Sequence, residues 1–320
     1  MNWNTAFVLL AASSLGASSP LQLSSTKGCG QAPPLTPGDV KVFPITGGRE
    51  YEVWLPENYD QNKETPMILS YHGANGDMEH QRNLDNLTNP AFNVDHIVVY
   101  LQGTADDPSR PDHTTWTPAP GSTSDDLGYT GDVLDAVEAA FCIDTSRIYA
   151  TGKSQGGGFV SQLACDPTMS TRIAAFAPVS GAYYIAGVDT CDPATVVVPC
   201  NASRTEIPLL AFHGGADGTI PYHGKEDPCL PDIPSWVRQW VEREKLKDTP
   251  VEAPIANSDN GEVSSYGDGL VTFVYDGDNI DHDWPATTPN SDNERDGHVR
   301  AAFDASTMIM AFFRDQKLPN

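Results

Sequence analysis

Basic residues are scarce in this chain. Its 320 residues include 19 Lys and Arg against 43 Asp and Glu, a formal net charge of −24 with histidine neutral. A surface of that sign repels phosphate backbones and anionic lipid head groups, which argues against nucleic-acid and membrane partners. Long apolar runs are also missing: nothing approaches the roughly 18 consecutive apolar residues of a membrane-spanning helix. Cysteine is sparse, six in all. None sits in a C-x-x-C pair, so the spacing gives no zinc site.

Apolar residues make up 39% of the chain, enough for a large core at this length. The 26 Pro and 27 Gly demand many loops. Residues 1–19 read as a signal peptide. Phe7 to Ala12 form a short apolar run, and Ala17, Ser18 and Ser19 offer cleavage sites, although no Lys or Arg precedes the run. An even count of cysteines behind such a leader predicts three disulfides among Cys29, Cys142, Cys165, Cys191, Cys200 and Cys229. Asn86 and Asn201 open two glycosylation acceptor triplets. Together these features predict a secreted, extracellular protein, with residues 20–320 as a single domain.

Short, nearly continuous apolar runs at 67–71, 97–101, 147–151, 174–179, 209–213 and 271–275 fit buried parallel strands, and 49–55 alternates like a strand with one covered face. Helical stripes fall between them at 131–141, 158–165, 235–246 (with Ser235 as N-cap) and 301–313. Strands alternating with helices predict one doubly wound α/β domain, its sheet mostly parallel with helices on both faces. Residues 104–127 and 181–207 read as loop-rich insertions, and 250–269 as a polar linker.

The strongest local signal is RIYATGKSQGGGFVSQLAC. A strand runs into Gly152-Lys153-Ser154-Gln155-Gly156 and then into a helix, the nucleophile-elbow pattern of the α/β-hydrolase fold. Gly152 and Gly156 remove side chains that would collide in so tight a turn. Ser154 then sits at a helix N-terminus, where free N–H groups favour developing negative charge. A serine nucleophile needs a base and an orienting acid, and in this fold the chain order is Ser, Asp, His. Asp217 follows a buried strand and a Gly-Gly turn. His282 lies in the loop after the 271–275 strand. Asp227, Asp276, Asp278 and His298 are weaker rivals, while His213 and His72 read as structural. The oxyanion donors are expected to be the backbone N–H groups of Gln155 and of Ala74, the latter in the HGANG loop after 67–71. Such chemistry requires neither cofactor nor metal.

The segments CIDTSRIYATGKSQGGGF, AAFAPVSGAYY, HGGADGTIPY and DHDWPATTPNSDN resemble fungal feruloyl esterases of the type C/D group. These belong with carbohydrate esterase family 1, relatives of acetylxylan esterases and polyhydroxybutyrate depolymerases. The resemblance covers residues 28–315. It implies hydrolysis of ferulate and related hydroxycinnamates from feruloylated plant cell-wall polysaccharide, and it assigns the triad to Ser154, Asp217 and His282. One departure is Gln155, where the family pattern has Asn. Acetylxylan esterase is the alternative within esterases, and an inactive polysaccharide-binding module the alternative outside them. Trp116, Tyr183 and Tyr184 are candidates to stack on a phenolic acyl group. Cys29 is expected to pair with Cys142, which would tie the N-terminal segment to the helix before the nucleophile strand. The other four cysteines allow three connectivities, with Cys191, Cys200 and Cys229 expected to brace the pocket rim.

Overall fold

The computed structural model describes residues 26–319 apart from 106 and 108. The leader at 1–19 and the first residues of the 20–320 domain lie outside the described residues. In chain order the elements are β1 (Val40–Pro44), β2 (Glu50–Trp54), β3 (Thr65–Tyr71), α1 (Met78–Asp85), β4 (Ile97–Leu101), α2 (Asp126–Ala140), β5 (Ile143–Lys153) and α3 (Gln155–Cys165). They continue with α4 (Met169–Arg172), β6 (Ala175–Val179), β7 (Leu209–His213), α5 (Ile233–Arg243), β8 (Val251–Pro254), β9 (Glu262–Tyr266), β10 (Val271–Tyr275) and α6 (Ala305–Arg314).

All ten strands join one sheet in the order β1-β2-β4-β3-β5-β6-β7-β10-β9-β8. The central six, β4 to β10, pair in parallel. The two strands at each edge pair antiparallel. Every residue of β3, β4, β6 and β7 is buried. Both faces of a central parallel strand are covered by helices, which is why these strands read as unbroken apolar runs. Their side chains divide between two cores. Met67, Leu69 and Tyr71 of β3 join Val133 and Val137 of α2 and Trp236 and Trp240 of α5 on one face. Ile68 joins Leu84 of α1 and Ile309 and Phe313 of α6 on the other. The fold is the α/β-hydrolase arrangement expected from the sequence.

Four readings need correction. The 250–269 stretch is not a linker, since it carries β8 and β9. Their residues are exposed or half-buried throughout, so no apolar alternation marks them. Strand β1 escaped notice for the same reason. The cap of α5 is Asp232, whose carboxylate accepts the Ser235 N–H at 3.1 Å, while the Ser235 hydroxyl donates to the Ala194 carbonyl at 2.6 Å. Helix α3 begins at Gln155, three residues earlier than the apolar stripe suggests, because Gly156, Gly157 and Gly158 are helical. At α6 the opposite holds: residues 301–304 precede the helix.

The disulfides are Cys29–Cys142, Cys165–Cys200 and Cys191–Cys229. Only Cys191–Cys229 lies beside the loop that follows Asp217. Cys165 is the last residue of α3, at the end away from Ser154, and Cys200 directly follows Val198 and Pro199, which line a cavity along α3, so the Cys165–Cys200 bridge anchors the 181–207 insertion beside that cavity. Cys29–Cys142 closes 113 residues. Around it, Thr26 Oγ1 donates to the Phe141 carbonyl at 2.9 Å and Gly28 N–H to Glu138 at 3.2 Å. Removing both cysteines, as Cys29→Ser with Cys142→Ser, is expected to lower stability by about 2–5 kcal/mol. Denaturant titration reads this directly; an unchanged midpoint would show that the bridge restrains nothing.

Candidate active site

Strand β5 stops at Lys153, and Ser154 turns the chain with φ 58° and ψ −120°. A positive φ is costly for a residue with a Cβ and persists only where surroundings impose it. Here they do. Ser154 N–H donates to Val179 at 3.0 Å, and its carbonyl accepts from Gly158 and Ala182 at 2.9 and 2.8 Å. A Cβ at Gly152 would sit 2.7 Å from the Tyr71 carbonyl oxygen, and one at Gly156 only 2.2 Å from the same atom. The elbow is therefore pressed against the end of β3, and glycine at both positions is what allows it.

That contact brings the second loop alongside. A Cβ on Gly73 would lie 3.3 Å from the Ser154 Cβ. His72 holds this loop. Its Nε2 accepts the Gly103 N–H at 2.9 Å, so the proton is on Nδ1, which donates to the Gly73 carbonyl at 2.7 Å. Complete burial pushes its pKa down to about 4 and keeps the ring neutral. Among the described residues, neither Gln155 N–H nor Ala74 N–H is taken up by a hydrogen bond.

Asp217 and His282 come together from different loops. His282 Nδ1 donates to Asp217 Oδ2 at 2.7 Å, and Asp217 Oδ1 accepts the Thr219 and Ile220 N–H groups at 2.9 and 2.7 Å. Burial alone would raise the Asp217 carboxyl, but His282, His213 and the Ile220 N–H outweigh it and hold it below the usual carboxylate value. The two loops touch because Gly214 has no side chain: a Cβ there would lie 2.2 Å from the Ile280 carbonyl. Ser154, Asp217 and His282 are 7%, 4% and 5% exposed, so the three sit at the floor of the site and not on its rim. Of the rivals, His298 instead donates Nδ1 to Asp283 at 2.7 Å. Asp227 and Asp278 lie on the exposed surface.

Trp116 is enclosed in the core, whereas Tyr183 and Tyr184 both line a cavity along α3. Trp116 is fully buried, donates its indole N–H to the His72 carbonyl at 2.9 Å and stacks on Phe159. Tyr183 is buried against Trp236, ring centroids 3.9 Å apart. Tyr184 alone of the three is half-buried. Asn201 is exposed and Asn86 half-buried at the C-cap of α1.

Two features escaped sequence reading. Lys153, the residue before the nucleophile, forms a buried ion pair with Asp292, Nζ to Oδ2 2.7 Å. Burial opposes charge there, but Lys153 outweighs it and keeps the Asp292 carboxyl low. The same Asp292 oxygen accepts the Trp284 N–H at 2.9 Å, and Arg295 donates to the His282 carbonyl at 2.7 Å. The nucleophile turn and the histidine loop are thus joined through one salt-bridged network. The second feature is Asp276, fully buried after β10 with no hydrogen bond to either carboxyl oxygen. Burial pushes its pKa well above the usual value, and the Asp217 and Asp283 charges push the same way. Spacing carries no signal for either feature, because the Lys153–Asp292 pairing and the burial of Asp276 are both set by tertiary packing.

No family model matches the chain. It is 29% identical over 228 residues to feruloyl esterase D of Neurospora crassa, 68% of this chain and 69% of that one. It is 28% identical over 215 residues to feruloyl esterase C of Emericella nidulans, 65% of this chain and 68% of that one. Among solved structures, an acetyl xylan esterase from Aspergillus awamori superposes with TM-score 0.56 at 14% identity, covering 78% of this chain and 96% of that one, a likeness of fold alone. The chain is a carboxylic ester hydrolase of the α/β-hydrolase fold. Within that class it is a homologue of the curated feruloyl esterases of types C and D.

Lys153→Met should leave the buried Asp292 carboxylate with only the partly exposed Arg295, 3.3 Å away, as its cation, costing about 3 kcal/mol of stability, the low end for a broken buried pair. Thermal melts of this variant and of Lys153→Arg check it; equal melting of wild type and Lys153→Met would rule out a supporting role for the pair. Asp276 gives a pH-dependent expectation. Folding tightens proton binding at this carboxyl, so its contribution is fully present below the ordinary aspartate range and stability is lost as pH rises above that range. Asp276→Asn is therefore expected to raise the melting temperature at neutral pH and to change it much less near pH 4. Equal shifts at both pH values would mean that Asp276 is ionised in the folded protein.

Proposed function

We propose that the chain is a secreted feruloyl esterase, releasing ferulate and related hydroxycinnamates from plant cell-wall polysaccharide through Ser154, His282 and Asp217. The observation that carries this reading is the 2.7 Å Asp217–His282 pair buried at the carboxyl end of the sheet beside a strained serine elbow, in a homologue of feruloyl esterases. In the proposed cycle His282 Nε2 takes the Ser154 proton as Oγ attacks the ester carbonyl. The Gln155 and Ala74 N–H groups receive the oxyanion. His282 then protonates the departing sugar alcohol, leaving an acyl-serine. Water, deprotonated by the same imidazole, adds to that ester and frees the acid and the serine. Asp217 fixes the His282 tautomer and balances the imidazolium charge. The three disulfides suit an oxidising, extracellular setting.

The aromatic acyl preference has its own support. A cavity of about 220 Å³ lies along α3, one turn from Ser154, lined by Gly158, Gln162, Tyr184, Ile185 and Val198. Its walls are mainly apolar and include one half-buried tyrosine ring, so an aryl group buries more surface there than an acetyl group does. That difference raises turnover where it persists in the transition state.

Ser154→Ala is expected to abolish hydrolysis of methyl ferulate by several orders of magnitude while leaving the fold intact. Retention of a tenth of wild-type turnover would exclude Ser154 as nucleophile. The acyl preference is tested by kcat/KM on feruloylated and acetylated xylo-oligosaccharides with matched leaving sugars. A faster acetyl ester would make the chain an acetylxylan esterase with the same catalytic serine.

A further inference from the structure

A second groove, of about 490 Å³, lies away from the triad, between α5 and the β9–β10 edge of the sheet. Tyr222, Tyr266 and Tyr275 line it, all half-buried, over a floor formed by Phe273. Tyr222 and Tyr275 meet edge to face with ring centroids 5.2 Å apart. The walls carry Arg238, Asp248, Asn260 and Glu262.

What these walls leave unbonded is informative. Asn260 and the Tyr275 hydroxyl are committed to Asp278. Among the described residues, no side-chain hydrogen bond or ion pair engages the Tyr222 and Tyr266 hydroxyls or the Asp248 and Glu262 carboxylates, and Arg238 is bonded only to the Ser235 hydroxyl at 2.7 Å. A ligand here therefore meets aromatic surface and, interleaved with it, free donors and acceptors of both kinds. A purely apolar ligand would desolvate these groups without replacing their water contacts. A polyanion would meet two carboxylates on a chain of net charge −24. A neutral polyol satisfies both demands, with the C–H faces of its sugar rings on the tyrosines and its hydroxyls on the carboxylates and the guanidinium.

We propose that this groove is a second binding site for an uncharged, xylan-like polysaccharide chain, outside the catalytic centre. The proposal rests on the reading of a polysaccharide ester as substrate. Tyr222 belongs to the loop that begins at Asp217, and its ring lies 6.2 Å from that of His213, so one loop serves both the groove and the Asp217 carboxylate. A polymer held there keeps its other esters at a high effective concentration near Ser154.

The test uses the full chain carrying Ser154→Ala, run in native gels containing saponified, ester-free arabinoxylan. The polysaccharide is expected to retard it. Tyr266→Ala in that background should weaken the interaction by about tenfold, as loss of an aromatic anchor does. Glu262→Ala, a milder change at a side chain with no internal partner, should weaken it in the same direction. Each substitution, placed in the active chain, should leave kcat/KM on soluble methyl ferulate within about twofold, since the groove is separate from the triad. Absence of retardation in the parent, unchanged retardation in both variants, or retardation by polygalacturonate alone would overturn the proposal. Failure to hydrolyse methyl ferulate would instead overturn the esterase reading, whatever the gels show.

Discussion

The close approach of the Ser154 turn to the end of β3 is the constraint on which the rest of the site depends. Backbone meets backbone there with no room for a Cβ at Gly152 or Gly156. The positive φ at Ser154 is held by hydrogen bonds on both sides, from Val179 to Ala182. Because the elbow is pressed against β3, the loop leaving β3 is forced past the serine, and Gly73 lies against it. One packing contact thus places the nucleophile, the start of a helix with free N–H groups and a second loop of donors within one small volume. The strain is carried by the sheet, since β3, β5 and β6 are buried parallel neighbours.

The charged groups around this turn divide by whether they are paired. Asp217 and Asp292 are buried but have cationic or histidine partners, and both are held ionised. Asp276 has no partner and is held neutral. Asp85 is also buried without a cation; it accepts from Ser70, Gln81 and Tyr100, yet burial still pushes it up to about 7. Carboxyls of the second kind favour a folded state at mildly acidic pH.

The two loops that carry Asp217 and His282 are stitched by backbone contacts as close as those of the elbow. Gly215 N–H donates to Gly277 and Ala216 N–H to Ile280, both at 2.9 Å. The Lys153–Asp292 pair then ties the histidine loop back to the nucleophile strand. The segments that carry Ser154, Asp217 and His282, distant in sequence, are tied together through these backbone and buried ionic contacts.

The sequence by itself determined the central strands, the elbow and the order of the three candidate catalytic residues. Those features are written locally: β3 and β7 are buried on both faces and so uniformly apolar, and a turn that admits no Cβ must be glycine. Sequence reasoning failed where burial did not mark the chain. Strands β1, β8 and β9 lie at sheet edges with exposed or half-buried residues, so their hydrogen bonding leaves no periodic trace. It also failed for side chains whose role depends on distant neighbours. For Trp116 the sequence left stacking on a ligand and ordinary packing both open, and the residue is a buried prop for His72. Lys153 and Asp292 carry no local mark of partnership and form a buried pair across 139 residues of chain. The pairing of Cys165 with Cys200 and of Cys191 with Cys229 was likewise decided only by tertiary structure, because which sulfurs meet depends on how the 181–207 insertion folds over α3 and α5.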